Sequence, residues 1–313
     1  MSAWHHLYPL DPMRTVGLAY ANMWGRSSEF QADYLLDCFP CLRGHYRFEL
    51  AHSPRVAFFS VYGYIQNRHD GATRVVYSGE AGDHLQQGGK ISPGVCEEGF
   101  YHYGITCAAE QSSPNHCYMP QGFLHLNLYN HGVSTLIRQP GQTATQKKFF
   151  CNFVYSNANS RDRIEFFHQL SRYKRVESCG HVERNNDALA HAAYSREGYV
   201  VKQAFQARCK FSIAMENSYF PGYNTEKITD PLVARSVPIY KGDPRIAETF
   251  NPLAFINLSD FKSDEEAIEF IESVDREDAL YQTYLDAPPF VGNVVPARFT
   301  DAHYLEFWQR ILG

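Results

Sequence analysis

The chain has 313 residues, 44% of them hydrophobic, which is enough for two domains of ordinary size around substantial cores. Its net charge is −5 and no basic block stands out, so nucleic-acid binding is not expected and any cation that holds an anion must act locally. No apolar run reaches ~18 residues, and the start, MSAWHHLYPLDPM, has neither a basic nor an apolar segment of the secretory kind, so neither a membrane span nor a signal peptide is expected. Of the eight cysteines, Cys107, Cys151 and Cys209 sit in apolar runs and read as buried free thiols of a reducing, cytoplasmic setting. Cys38 and Cys41 form a single CxxC pair, which supports a zinc site only weakly.

In chain order, residues 16–23 read as a strand, 29–38 as a short helix with Phe30, Tyr34 and Leu35 on one face, and 56–62 and 74–78 as compact strands, the second stopping at Gly79 and Glu80. Between residues 96 and 139, short strands such as 123–129 alternate with polar loops. Residues 148–155 (KFFCNFVY) form a buried strand, 156–160 a turn, and 163–173 an amphipathic helix with Ile164, Phe167 and Leu170 on one side. The strand 210–215 leads through a polar turn to a helix at Glu226–Ala234 and a strand at 237–240. That interval has room only for a crossover helix, so the two strands should be parallel. Residues 264–274 form a helix, 286–290 a linker, and 300–312 a final amphipathic helix capped by Thr300 or Asp301, with Tyr304, Leu305, Trp308 and Ile311 on its apolar face. The pattern is α/β in two units, with a break near residues 139–147. Each is an open, mainly parallel sheet whose ligands sit at the carboxyl ends of the strands. Neither the dinucleotide fingerprint nor the P-loop motif occurs.

The densest chemistry lies in MENSYFPGYNTEKI, residues 215–228, which compresses a strand end, a polar turn and a helix start. A helix N-terminus presents unpaired N–H groups and partial positive charge, a natural seat for phosphate. Asn224 or Thr225 can cap the helix, which leaves Glu226 and Lys227 free to face a ligand, with Tyr223 offering a hydroxyl. A glutamate repels phosphate but suits hydroxyl groups, so the pair fits a nucleotide sugar. The bland alternative is a capped helix with solvated charges. The crowding of Glu216, Asn217, Ser218, Tyr223, Glu226 and Lys227 at one junction weighs against it.

Arg161 and Arg163 fall in the first turn of another helix, where cations oppose the dipole unless an anion is present; a solvated arginine is the alternative. Glu80 ends a strand and is placed as a general base, against the alternative of a surface turn residue; His102 and His116 are other candidate bases. There is no Asp-x-Asp to hold a metal, so no metal ligand is expected. A leaving diphosphate would depend on Arg, Lys and helix N-termini.

The segment ENSYFPGYNTEKI resembles the signature of the α1,3-fucosyltransferases of glycosyltransferase family 10, of the bacterial type. The resemblance extends to FFCNFVYSNANSRDRIEFFHQLSRY upstream and SVPIYKGDPRIAETFNPLAFINLSDF downstream, and more loosely to NMWG at residues 22–25 and VVYSGE at 75–80. It implies a GT-B fold, two Rossmann-like domains facing each other across a cleft. Residues 1–143 would form the acceptor-side domain with the base, 144–296 the GDP-fucose domain, and 297–313 a helix packing back on the first domain. It further implies inverting transfer of L-fucose to the N-acetylglucosamine or glucose of a galactose-containing acceptor, as in Lewis-type glycans of lipopolysaccharide O-antigen. Arg163 and Lys227 would hold the diphosphate, Asn217, Tyr223 and Glu226 would contact GDP-fucose, and Glu80 matches the base of the [ST]-G-E motif. No cofactor is implied, although a divalent cation can stimulate such enzymes, and the setting implied is cytoplasmic, with peripheral contact at the inner membrane face. The heptad repeats of some bacterial members and the membrane anchor of animal members are not visible in this sequence. The competing functions are a transferase of another nucleotide sugar and a catalytically silent glycan-binding protein.

Overall fold

Two all-parallel sheets organise this computed structural model, which describes residues 13–23, 30–61, 65, 67–80, 99–109, 113–192 and 195–313. The chain divides into two compact units. Unit 1 takes the described residues of Met1–Thr106 and Gln111–Met119 together with Ala297–Gly313, and unit 2 those of Cys107–Glu110 and Pro120–Pro296.

In unit 1, β1 (Arg14–Ala21), β2 (Tyr46–Leu50), β3 (Val56–Phe59), β4 (Thr73–Ser78), β5 (Tyr103–Thr106) and β6 (His116–Tyr118) lie in the order β2-β1-β3-β4-β5-β6. Strand β3, VAFF, is buried at every position, as a strand covered on both faces must be. The order reverses between β1 and β3. At that point Asn22, in a left-handed conformation (φ 40°), donates from Nδ2 to the Ser60 carbonyl at 2.8 Å. Glu80 follows β4, one strand away.

The helix expected over residues 29–38 is shorter, α1 (Tyr34–Cys38). A turn in which Tyr34 N donates to the Gln31 carbonyl precedes it, and Pro40 follows its end; Glu29 lies outside the described residues. The C-terminal helix of this unit, Asp301–Leu312, is capped by Thr300. It packs Trp308 on Phe39 and Phe58, with ring centroids 5.0 and 5.9 Å away. Phe307 rather than Leu305 completes its buried face.

In unit 2, a first helix, α2 (Gln121–Tyr129), precedes β7 (Phe149–Phe153), α3 (Arg161–Tyr173), β8 (Val176–Ser178), α4 (Arg196–Gln206) and β9 (Cys209–Met215). Then come α5 (Glu226–Ala234), β10 (Val237–Lys241), β11 (Ile256–Asn257), α6 (Asp264–Arg276) and α7 (Asp278–Asp286), and the Asp301–Leu312 helix of unit 1 is α8. The sheet order is β11-β10-β9-β7-β8, with β9 and β10 parallel around α5 as the crossover required. Strand order therefore reverses between β7 and β9. In open parallel sheets such a reversal opens a crevice at the carboxyl ends of the two strands, the usual ligand site.

Residues 123–129 are helical, not the expected strand. The alternation in FLHLNLY is compatible with either state in so short a run, and packing decides. Gly122 N donates to the Asn224 carbonyl at 3.1 Å, and a Cβ at Gly122 would stand 2.8 Å from the Thr225 carbonyl oxygen. The missing side chain lets α2 lie directly on the start of α5. Segment 120–143 thus packs within unit 2.

One face of the unit 2 sheet is covered by Phe166, Phe167 and Leu170 of α3 with Ala267, Ile271 and Val274 of α6. At its edge the buried Asp275 takes hydrogen bonds from Lys174 (2.9 Å) and the Tyr173 hydroxyl (3.0 Å) and an ion pair with Lys210 (2.8 Å), tying α3, β9 and α6 together. Among the described residues no helix is long and apolar enough to cross a membrane.

Burial alone would raise the Asp275 carboxyl, but the hydrogen bonds from Lys210 and Lys174 outweigh it and hold it below the usual aspartate range. Its stabilisation is therefore fully present above about pH 4, where an unfolded aspartate ionises, and is lost as pH falls through the depressed folded value. Asp275→Ala should lower the unfolding free energy by about 2–3 kcal/mol at neutral pH, because a buried pair is broken from one side. The difference from wild type, read from denaturant midpoints, should close in acid.

Candidate functional site at the β7–β9 switch point

Strand β9 is buried almost throughout and delivers Glu216 to its carboxyl end with no solvent exposure. A carboxylate there must be paired, and the loop that follows supplies the partners. Thr225, the N-cap of α5, donates to Glu216 Oε1 from its backbone N (2.8 Å), and its hydroxyl stands 2.9 Å from both carboxylate oxygens. Lys227 Nζ lies 3.1 Å from Glu216 Oε2. Gly242 makes the space, since a Cβ there would come within 2.5 Å of Glu216 Cγ and of the Tyr240 hydroxyl. Asp243 pins the loop by accepting from Gly222 N (2.9 Å) and Asn224 Nδ2 (3.3 Å). Gly222 has φ +90°, a conformation that favours glycine.

Lys227 is therefore not free, in contrast to the expectation for this helix start. Besides Glu216, its ammonium meets Thr225 Oγ1 at 3.0 Å and Glu226 Oε1 at 3.6 Å, and its side chain is 18% exposed. Desolvation pulls the Lys227 amine down, but Glu216 and Glu226 outweigh it and hold it above the ordinary lysine range. Burial pushes the Glu226 carboxyl up, yet Lys227, Lys202 and His125 together bring it well below the usual carboxylate range. Glu216 goes the other way: burial raises it, and the pull of Lys227 only partly offsets this.

One turn further along α5, the buried Asp230 accepts from the Tyr199 hydroxyl (2.9 Å) and from Lys202 Nζ (2.6 Å). His125 Nδ1 stands 3.7 Å away, with its ring pushed below the usual histidine range by burial.

Arg163 is 1% exposed, so it is not a solvated arginine. Its Nη2 donates to the Asn157 carbonyl at 2.6 Å, and its guanidinium carbon lies 4.3 Å from the centroid of the Tyr155 ring. Its buried Nε has no hydrogen-bond partner. Ser160 makes no side-chain cap, so the first turn of α3 keeps unpaired N–H groups beside this cation. Arg161, by contrast, points outward and is exposed.

Tyr155 joins the two halves of the site. Its hydroxyl donates toward the carbonyls of Ile213 (3.0 Å) and Met215 (3.2 Å) and accepts from Met215 N (2.8 Å), bracing β7 against β9. Burial raises its hydroxyl, while Lys227 and Arg163 both pull it back. Tyr223 is buried and donates to Asn217 Oδ1 at 3.0 Å; Asn217 itself is exposed.

Five expected residues, Arg163, Asn217, Tyr223, Glu226 and Lys227, thus gather in unit 2. Glu80 belongs to unit 1, partly buried at the end of β4, with its N–H donating to Ser78 Oγ at 3.1 Å. The other candidate bases have structural partners: His102 Nδ1 accepts from Arg74 N at 2.9 Å, and His116 Nε2 is 2.8 Å from Thr106 Oγ1. Tyr155, Asp243 and the His125–Asp230–Lys202 group carried no sequence signal beyond their type.

Residues 143–288 match the family model of the glycosyltransferase family 10 (fucosyltransferase) C-terminal domain. The chain is 37% identical over 128 residues to an α-(1,3)-fucosyltransferase of Helicobacter pylori, a stretch that is 40% of this chain and 24% of that protein. It is 31% identical over 149 residues to a putative fucosyltransferase of Acanthamoeba polyphaga mimivirus, 47% of this chain and 25% of the relative. It is also 32% identical over 130 residues to GDP-fucose protein O-fucosyltransferase 3 of Bos taurus, 40% of this chain and 27% of the relative. The chain spans about a quarter of the length of these curated relatives. A crystal structure of an α1,3-fucosyltransferase with GDP-fucose superposes with a TM-score of 0.70 at 22% identity, covering 98% of this chain and 93% of that one. Another α1,3-fucosyltransferase structure gives 0.73, again at 22% identity, with 96% and 91% covered. At that identity the likeness is one of fold, and the fold is the α/β, GT-B fold.

Gly242→Ala should cost about 1–3 kcal/mol of stability, because its Cβ must displace either Glu216 or Tyr240. The thermal midpoint measures this.

Proposed function

We infer the activity of this chain from the match of residues 143–288 to the family model of the glycosyltransferase family 10 (fucosyltransferase) C-terminal domain. The proposed reaction is inverting transfer of L-fucose from GDP-fucose to a hydroxyl of a galactose/N-acetylglucosamine-type acceptor. The observation that carries it is Arg163, a buried guanidinium whose partners among the described residues are a carbonyl and an aromatic ring, with its Nε unpaired. A buried cation without a carboxylate is costly unless an anion visits it. It stands at the first turn of α3, at the switch point where ligands of such sheets bind.

In this account the diphosphate lies between Arg163, as a two-pronged donor, and Lys227 at the start of α5. Glu226, kept ionised, and Asn217 accept from hydroxyl groups of the fucose or ribose, while Tyr223 fixes the Asn217 amide. As the acceptor oxygen attacks the anomeric carbon, its proton passes to the Glu80 carboxylate. The bonding pair of the breaking C–O bond leaves with GDP, whose growing negative charge the cations and helix N-termini stabilise. Donor recognition is assigned to unit 2, and the base, with acceptor recognition, to unit 1. The GDP-fucose in the neighbouring crystal structure supports the donor, and the name of the Helicobacter pylori relative supports the α1,3 linkage. A second acceptor class, a protein hydroxyl, is favoured by the likeness to GDP-fucose protein O-fucosyltransferase 3.

With GDP-fucose, GDP-mannose and UDP-galactose offered to lactose and LacNAc, only GDP-fucose should give product, read by mass and by NMR of the linkage. Glu80→Ala should lower transfer about 10²–10⁴-fold and leave GDP affinity unchanged. Near-normal transfer would remove Glu80 as the base. Arg163→Ala and Lys227→Ala should each weaken GDP binding at least ~10-fold by calorimetry, the loss of a charge-assisted hydrogen bond.

A further inference from the structure

At the end of β9, two carboxylates share one ammonium. Lys227 Nζ stands 3.1 Å from Glu216 and 3.6 Å from Glu226. Glu226 is partly exposed and has a second cation, Lys202, acting on it. Glu216 is fully buried, and among the described residues Lys227 is its one ion-pair partner. If a diphosphate joins the same ammonium, as the donor reading above requires, three anionic groups converge on it. The buried one is the least able to recruit water or a new cation.

The surroundings of Glu216 do not allow it to swing away. Gly242 is in contact on one side, where even a methyl group would collide, and Thr225 holds both of its oxygens on the other. The groups facing it are the N-cap Thr225, Glu226 and Lys227 of α5, Tyr155 just past β7 and Tyr240 of β10, with Arg163 over the Tyr155 ring. Apart from Lys227, none is a cation in direct contact.

We propose that Glu216 is a positioning residue that holds Lys227 at the donor site and takes up one proton when the diphosphate binds. The proton comes from solvent and adds to a carboxylate oxygen of Glu216. The resulting O–H donates to Thr225 Oγ1, already within 2.9 Å, while the other oxygen keeps the bond from Thr225 N. Lys227 keeps its charge and gives it to the phosphate, and the proton returns to solvent when the nucleotide leaves. The raising of the Glu216 carboxyl by burial favours this direction of transfer.

The test is calorimetric titration of the full chain with GDP-fucose near neutral pH, without acceptor, in buffers of different ionisation enthalpy. Both phosphates of GDP-fucose are esterified, so the ligand has no phosphate proton to exchange near neutrality. The slope against buffer enthalpy should report uptake of about one proton per donor bound. In Glu216→Gln, which keeps an acceptor for Thr225 but cannot titrate, uptake should fall to near zero while GDP-fucose still binds. In His125→Asn it should persist. Donor binding by wild type without proton uptake would overturn the proposal and leave the donor site standing, as would uptake that survives in Glu216→Gln. Failure of the wild type to bind GDP-fucose would remove the donor reading itself and this inference with it.

Discussion

The arrangement of unit 2 depends on one buried carboxylate. Glu216 sits at the end of a strand with no exposure, and the cost of burying it is offset only if its oxygens are fully paired. Thr225 and Lys227 do this, and in doing so they set where α5 begins and which way its first turn faces. The same need explains Gly242, which leaves room for the side chain, and Asp243, which fixes the loop between strand and helix. A hydrogen-bond requirement in the core thus decides the position of a cation at the surface of the crevice.

The two cations of the site differ in kind. Lys227 is already balanced by two carboxylates, so it contributes direction more than unspent charge. Arg163 is held by an aromatic face and a carbonyl, with no carboxylate in attendance, and presents its charge at an uncapped helix start. Tyr155 lies under the Arg163 guanidinium and is tied by its hydroxyl to Ile213 and Met215 of β9.

Much of this was legible in the sequence where a residue's local role and its tertiary role agree. The start of α5 at Glu226, the parallel pairing of β9 and β10 and the α8 cap follow from capping chemistry and chain length alone. The region before residue 139 was harder. Residues 123–129 alternate like a strand, but they form a helix whose start lies against Asn224 and Thr225, distant in sequence. Lys227 reads as a site residue but not as a paired one, because its partner Glu216 lies eleven positions earlier, just past the end of an apolar strand. Arg163 reads as a diphosphate ligand, but its burial against Tyr155 and Asn157 leaves no mark in the sequence. Partners distant along the chain leave no periodic trace, and these are what turn a list of polar residues into a site.

The proposed diphosphate site at the β7–β9 switch point can be seen or refuted in a single structure. A crystal structure of this chain with GDP-fucose tests it most directly. Diphosphate oxygens should lie within hydrogen-bond distance of the Arg163 guanidinium and the Lys227 ammonium, with the sugar hydroxyls toward Glu226. A nucleotide bound elsewhere, or one whose phosphates leave Arg163 without a partner, would contradict it.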